Sequence, residues 1–210
     1  MKKIFTVLAV SLSFAFVAGA ADNPKAGVYL GYSFVRFNPD SGFIPSFNAN
    51  GGNGQFVYNF WKGLGAAIDV GAVNKGTLNG FNVDTTVIDF VAGPRYTIHR
   101  GRVSPFVQAL FGGSHATTSA QFIAFPILNT IAGIPVPGNI PVTSRVSASH
   151  TGFAMLAGGG VDIKFGKHMA FRPAEFDYYL TRIPSFIVSE ERNRNNWRYA
   201  AGVNFLFGER

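Results

Sequence analysis

The sequence predicts an all-β protein, an eight-stranded antiparallel up-and-down transmembrane β-barrel. Three observations carry this reading. Runs in which apolar residues alternate with small or polar ones recur eight times. The connections between them alternate strictly between long and tight. The chain also opens with the pattern of an export signal. A strand sends alternate side chains to opposite faces, and a lipid-facing barrel strand is apolar outside and polar inside.

The export signal comes first. Lys2 and Lys3 form a charged stretch, Ile4 to Val17 an apolar core, and Ala18-Gly19-Ala20 a small-x-small cleavage pattern. Residues 1–20 are expected to be a cleaved signal peptide recognised through Ala18 and Ala20, with Ala21 as the alternative cleavage position. Residues 21–210 are then the barrel. Without Lys2 and Lys3 the formal charge falls from +7 to +5. The positive residues are scattered and form no dense stripe, so lipid head groups are the expected partner and nucleic acid is not. There is no cysteine, which leaves packing and strand pairing to stabilise an exported protein.

The eight runs fall at about 26–37, 51–61, 63–73, 84–98, 103–114, 150–165, 169–181 and 196–207. The last shows the pattern most clearly. Trp197, Tyr199, Ala201, Val203, Phe205 and Phe207 share one parity, and Arg198, Ala200, Gly202, Asn204 and Leu206 the other. Tight connections lie at Trp61-Lys62-Gly63, at 99–102 and at 165–168; the others are long, and about 115–149 is the longest. Outer-membrane barrels have short periplasmic turns and long extracellular loops. An even strand count then puts both termini in the periplasm. The segment 103–144 contains no Lys, Arg, Asp or Glu, but Pro126, Pro135, Pro137 and Pro141 break it, so an apolar extracellular loop is expected there and not a helical span.

Parity also assigns the interior. Asp69, Asp89, Asp162, Glu175 and Asp177 lie within runs, and none needs to face lipid. Arg95, Lys164, Arg172 and Arg198 are the matching cations. Together they predict a paired charge network that plugs the lumen, because an unpaired buried charge costs about 3–5 kcal/mol. Arg172 has the opposite parity to Glu175 and Asp177. A bulge at Pro173, which has no N–H for the ladder, would bring all three inside. Arg36 falls on the apolar parity of the first run, at its loop end, within reach of head groups. Aromatics near strand ends, among them Trp61, Tyr96, Tyr178, Trp197 and Phe207, suggest girdles at two membrane interfaces.

With this layout, with Arg172-Pro-Ala-Glu-Phe-Asp-Tyr-Tyr179, and with the closing Gly202-x-x-Phe205-x-Phe207, the chain resembles the small outer-membrane barrels of the OmpA/OmpX type. The resemblance covers nearly all of residues 21–210 and includes no peptidoglycan-binding domain. It implies outer-membrane location, a monomer, surrounding phospholipid and lipopolysaccharide, and an assembly signal at Tyr199, Gly202, Phe205 and Phe207 read by the outer-membrane assembly machinery. Ala200 stands where that signal usually has a polar residue, and Gly208-Glu209-Arg210 follow the final aromatic.

The residues offer little chemistry. His115 and His150 flank the long loop, near Ser114, Ser119 and Ser149, but no acid lies between Val103 and Ser149 to complete a triad. Metal-ligand spacing is absent as well. No catalytic, metal or cofactor site is expected. The expected function is structural or surface-interacting, in membrane integrity or adhesion through the loops. A narrow ion pore and, behind it, a lipid-modifying enzyme are the alternatives.

Overall fold

The computed structural model describes residues 24–38, 46–76, 83–99, 101–124, 130–131, 134–135, 142–184 and 191–208. The expected signal peptide, with Ala18 and Ala20, lies outside them. Among the described residues ten strands form: β1 (Ala26–Phe37), β2 (Phe47–Trp61), β3 (Leu64–Lys75), β4 (Val83–Thr97), β5 (Val103–Ala124), β6 (Thr130–Ile131), β7 (Ile134–Pro135), β8 (Val142–Lys164), β9 (Met169–Pro184) and β10 (Glu191–Phe207). β6 and β7 pair only with each other. The other eight close in the order β1-β10-β9-β8-β5-β4-β3-β2, so the expected eight-stranded up-and-down barrel is the observed fold. Closure runs from Ala26↔Phe207 to Arg36↔Trp197. It leaves no sheet edge within the wall, where unpaired backbone groups would be costly in hydrocarbon.

The tight turns are set by local chemistry. Lys62 and Gly63 both take positive φ, 35° and 90°, which matches the two-residue hairpin whose twist suits its flanking strands. Gly101 supplies another positive φ, 57°, between β4 and β5. The three tight turns gather at one end of the barrel and the long connections at the other.

The strands exceed their expected limits mainly at the long-connection end. Residues 115–124 and 142–149, expected as loop, are strand, and β5 pairs β8 without a break from Val103↔Ile163 to Ala124↔Val142. The Thr-, Ser- and Ala-rich composition, with Arg145 as its one charge, hid this pairing. Such residues give no apolar alternation to mark a strand. β2 likewise begins at Phe47, inside an expected loop.

Alternation separates the two faces of the wall. On β3, Ala67, Asp69 and Val73 are buried while Ile68 and Val70 are exposed. On β10, Arg198, Ala200 and Asn204 are buried, and Trp197, Phe205 and Phe207 are exposed. β9 resets its parity at Pro173. Glu175 faces Ala200 and Arg172 faces Gly202, so three β9 residues advance against two on β10. The Pro173 carbonyl accepts the Tyr199 hydroxyl at 2.7 Å. Arg172, Glu175 and Asp177 all therefore face the interior, where all three are fully buried.

Gly31 is among the glycines fixed by a close approach. A Cβ on Gly31 would stand 2.0 Å from the Tyr29 hydroxyl oxygen and 2.7 Å from the Ala201 carbonyl oxygen. Gly31→Ala is expected to destabilise the barrel by about 1–3 kcal/mol through forced displacement of the Tyr29 ring and of β10. Urea unfolding in lipid vesicles checks this.

Candidate functional site: the barrel interior

The interior is built in layers. Toward the long-connection end lies an apolar layer formed by Val35, Phe37, Ala49, Val73, Val87 and Ala116, with Phe47 packed against it. Phe37 and Phe47 stack with ring centroids 5.2 Å apart. Beneath it, toward the tight turns, lies a polar layer in which charged residues from non-adjacent strands meet.

Three guanidinium groups organise this layer. Arg198 on β10 donates through Nη1 to Asp69 on β3 at 2.7 Å and through Nη2 to Glu175 at 3.0 Å and Asp177 at 2.9 Å. Arg172 on β9 donates through Nε to Asp162 on β8 at 2.7 Å and through Nη1 to Glu175. Arg95 on β4 donates to the same Asp162 at 2.9 Å. Neutral amides join these groups. Gln55 accepts from Arg95 at 2.6 Å and from Arg172 at 3.1 Å, and donates to Gln108 at 3.1 Å. Gln108 donates in turn to Glu175 at 3.0 Å. Asn204 donates to Asp162 at 3.2 Å.

Aromatic faces complete the packing. The Arg172 guanidinium carbon lies 4.0 Å from the Tyr29 ring centroid, and that of Arg95 lies 3.5 Å from the Phe106 centroid. A desolvated guanidinium gains from such a face as well as from its carboxylates. Lys164 is also buried, at the turn end of β8. Asp89 is buried on β4, apart from the ion pairs.

Sequence reasoning named the charged members and missed Gln55, Gln108, Asn204, Tyr29 and Phe106. The available signal was parity, since each occupies an inward position in its run. Charge drew the attention that polarity also merited.

A cavity of about 20 Å³ opens at the turn end, beside Asn59, Thr97, Ser104 and Lys164. That is room for about one water molecule and not for an organic ligand. Nearby, partial burial, and then Lys164 and Arg95, pull the His99 imidazole below its usual pKa.

The histidines flanking the longest connection do not converge. His115 is exposed and its Nδ1 lies 2.7 Å from the Thr151 hydroxyl. His150 pairs with Ala116, one position along, and so takes the opposite face of the ribbon. Ser114 also faces away from His115, accepting the Tyr179 hydroxyl at 3.2 Å. No group of three or more His, Cys, Asp or Glu side chains placed to hold a metal occurs among the described residues.

The outer surface matches a bilayer. Trp197 and Phe207 are separated by ten positions on β10, about 33 Å along a strand. At the usual barrel tilt this gives an axial height of about 25 Å, the height of an outer-membrane apolar band. Leu30, Phe56, Ile68, Val70, Phe90 and Val107 are exposed on that surface.

A closed antiparallel barrel with an apolar exterior and a charged interior is an integral membrane barrel. The family model for the outer membrane protein beta-barrel domain matches residues 6–205, and the chain belongs to that family. No curated protein matches the sequence. Among solved structures the fold is similar to Ail, the attachment invasion locus protein of Yersinia pestis. Identity is 17%, 87% of this chain and 99% of that one are covered, and the TM-score is 0.56. A second structure of Ail, in complex with the heparin analogue sucrose octasulfate, is similar at 17% identity, covering 90% and 100%, with a TM-score of 0.53. Neisserial surface protein A is similar at 16% identity, covering 87% and 97%, with a TM-score of 0.55.

Proposed function

We propose that this chain is a sealed outer-membrane barrel that serves as a surface-interaction scaffold. Residues 1–20 are removed on export, both termini lie in the periplasm, and the long connections face outside. Phospholipid and lipopolysaccharide surround the barrel, which is a monomer. The assembly machinery reads Tyr199, Gly202, Phe205 and Phe207. Three of these, Tyr199, Phe205 and Phe207, stand on the outward parity of β10, where a receptor could reach them.

The length of two strands carries the proposal. β1 and β3 have 12 residues each, close to the 9–11 needed to span a bilayer. β5 has 22 and β8 has 23, so about half of each stands above the membrane as a β ribbon. On its far side β8 pairs with β9 only from Phe153 downward. Among the described residues, 142–152 of β8 therefore have a strand partner only in β5. The edge 146–152 contains no proline, lysine or acid. Edges left without those guards accept added strands. An extended segment of a surface partner could pair there by β-augmentation. The shared fold of a protein named for attachment agrees with this reading.

Cells displaying the protein are expected to attach to epithelial monolayers through this edge. Changing Val146→Lys and Ser149→Lys together should reduce attachment to the level of cells lacking the barrel. Heat-modifiable gel mobility, the sign of a folded barrel, should be unchanged. Unaltered attachment by the double variant would reject the edge as the contact surface.

The alternative is a narrow pore. The polar interior favours it, but the guanidinium network and the apolar layer above it both obstruct a water path.

A further inference from the structure

The buried interior charges do not balance. Among the described residues, the buried Asp69, Asp89, Asp162, Glu175 and Asp177 are matched by the buried Arg95, Lys164, Arg172 and Arg198, a formal excess of one negative charge. Four of the acids share ion pairs with the three arginines. Asp89 takes part in none of these pairs. It is 4% exposed, and its Oδ2 has no hydrogen-bond partner in the protein.

Strand register shows where this carboxylate lies. Asn53, Gly71 and Asp89 are lateral neighbours on β2, β3 and β4. Gly71 has no side chain, and Asp89 lies across it: a Cβ there would stand 2.8 Å from Oδ1 and 2.9 Å from Oδ2. Asn53 donates Nδ2 to Asp69 at 2.9 Å, which fixes the orientation of its amide. Its buried Oδ1 is left without a partner. On the other side Gly31 pairs with Asn53, and the Tyr29 hydroxyl lies across Gly31. That hydroxyl is also buried and unpartnered. Unpartnered oxygens of Tyr29, Asn53 and Asp89 thus lie along the single row Gly31–Asn53–Gly71–Asp89, the Tyr29 hydroxyl over one glycine and the Asp89 carboxylate over the other.

We propose that this row binds a hard monovalent cation such as Na⁺, with Asp89 as the anionic ligand and Asn53 Oδ1 and the Tyr29 hydroxyl as neutral donors. Hard cations take oxygen ligands of this kind. A single positive charge restores neutrality to the interior, whereas a water molecule would satisfy the acceptors and leave the charge. The cation would fasten β1, β2 and β4 together across β3, at the hydroxyl end of the Tyr29 ring whose face carries the Arg172 guanidinium.

The test compares the purified full barrel with Asp89→Asn in phospholipid vesicles. Thermal unfolding is followed by gel mobility in NaCl and in choline chloride, at equal ionic strength and fixed pH. The wild-type midpoint should rise with Na⁺ along a saturating curve. Asp89→Asn should show no such rise and should be at least as stable as wild type in choline. Crystals soaked in Tl⁺ should show an anomalous peak between residues 53 and 89, absent in the variant. An equal Na⁺ response in both proteins would overturn the proposal. So would a wild-type midpoint that depends on pH and ignores Na⁺, because a proton would then be what neutralises Asp89.

Discussion

Arg198→Met is expected to destabilise the barrel by about 3–5 kcal/mol, the usual effect of removing one member of a buried ion-paired group. The substitution leaves Asp69, Glu175 and Asp177 without the guanidinium they share. Most of the loss comes from stranded carboxylates and little from the intrinsic worth of the pairs. Arg198→Lys should therefore fall between wild type and Arg198→Met, since an ammonium keeps the charge but loses the fork. Combining Arg198→Met with Asp69→Asn and Asp177→Asn, which leaves Glu175 paired to Arg172, should recover much of the stability. Urea unfolding in vesicles measures all four proteins. If the combined variant were no more stable than Arg198→Met, stranded charge would not be the cause.

The second large effect concerns the outer surface. Ile68 is exposed on β3 near mid-height of the apolar band, between Phe56 and Ala92 on the neighbouring strands. Ile68→Arg is expected to destabilise the barrel by about 2–4 kcal/mol, because it places a guanidinium at the bilayer midplane. Tyr96→Arg, at the turn end of β4, should cost only about 0–1 kcal/mol, because the interface solvates the charge. Unfolding in vesicles reads both. Equal effects at the two positions would mean that Ile68 does not face hydrocarbon.

These predictions rest on unequal parts of the sequence. Within the bilayer, alternation is enforced by two solvents. The exposed Trp197, Phe205 and Phe207 and the buried Arg198, Ala200 and Asn204 could be sorted by parity alone. At Pro173 parity failed in a useful way, because leaving either Arg172 or the acidic pair in lipid would cost so much that a register shift was the cheaper solution. Residues 115–124 and 142–149 are rich in Thr, Ser and Ala and carry no regular alternation of apolar with polar residues, so they read as loop. Interior pairing was legible only as composition. Parity indicates that Asp69 and Arg198 point inward, but β3 and β10 meet only through barrel closure. The contacts of Gln55 with Arg95 and Arg172, and the isolation of Asp89, follow from that closure and from the placement of glycines beside large side chains.

An ion-paired layer beneath an apolar one, as proposed, would seal the interior. Single-channel recording of the purified barrel in planar bilayers tests it most directly. The predicted result is a silent bilayer, with no steady unitary current from wild type. Stable ion-selective steps from wild type, altered by Arg95→Ala or Asp162→Ala, would contradict it.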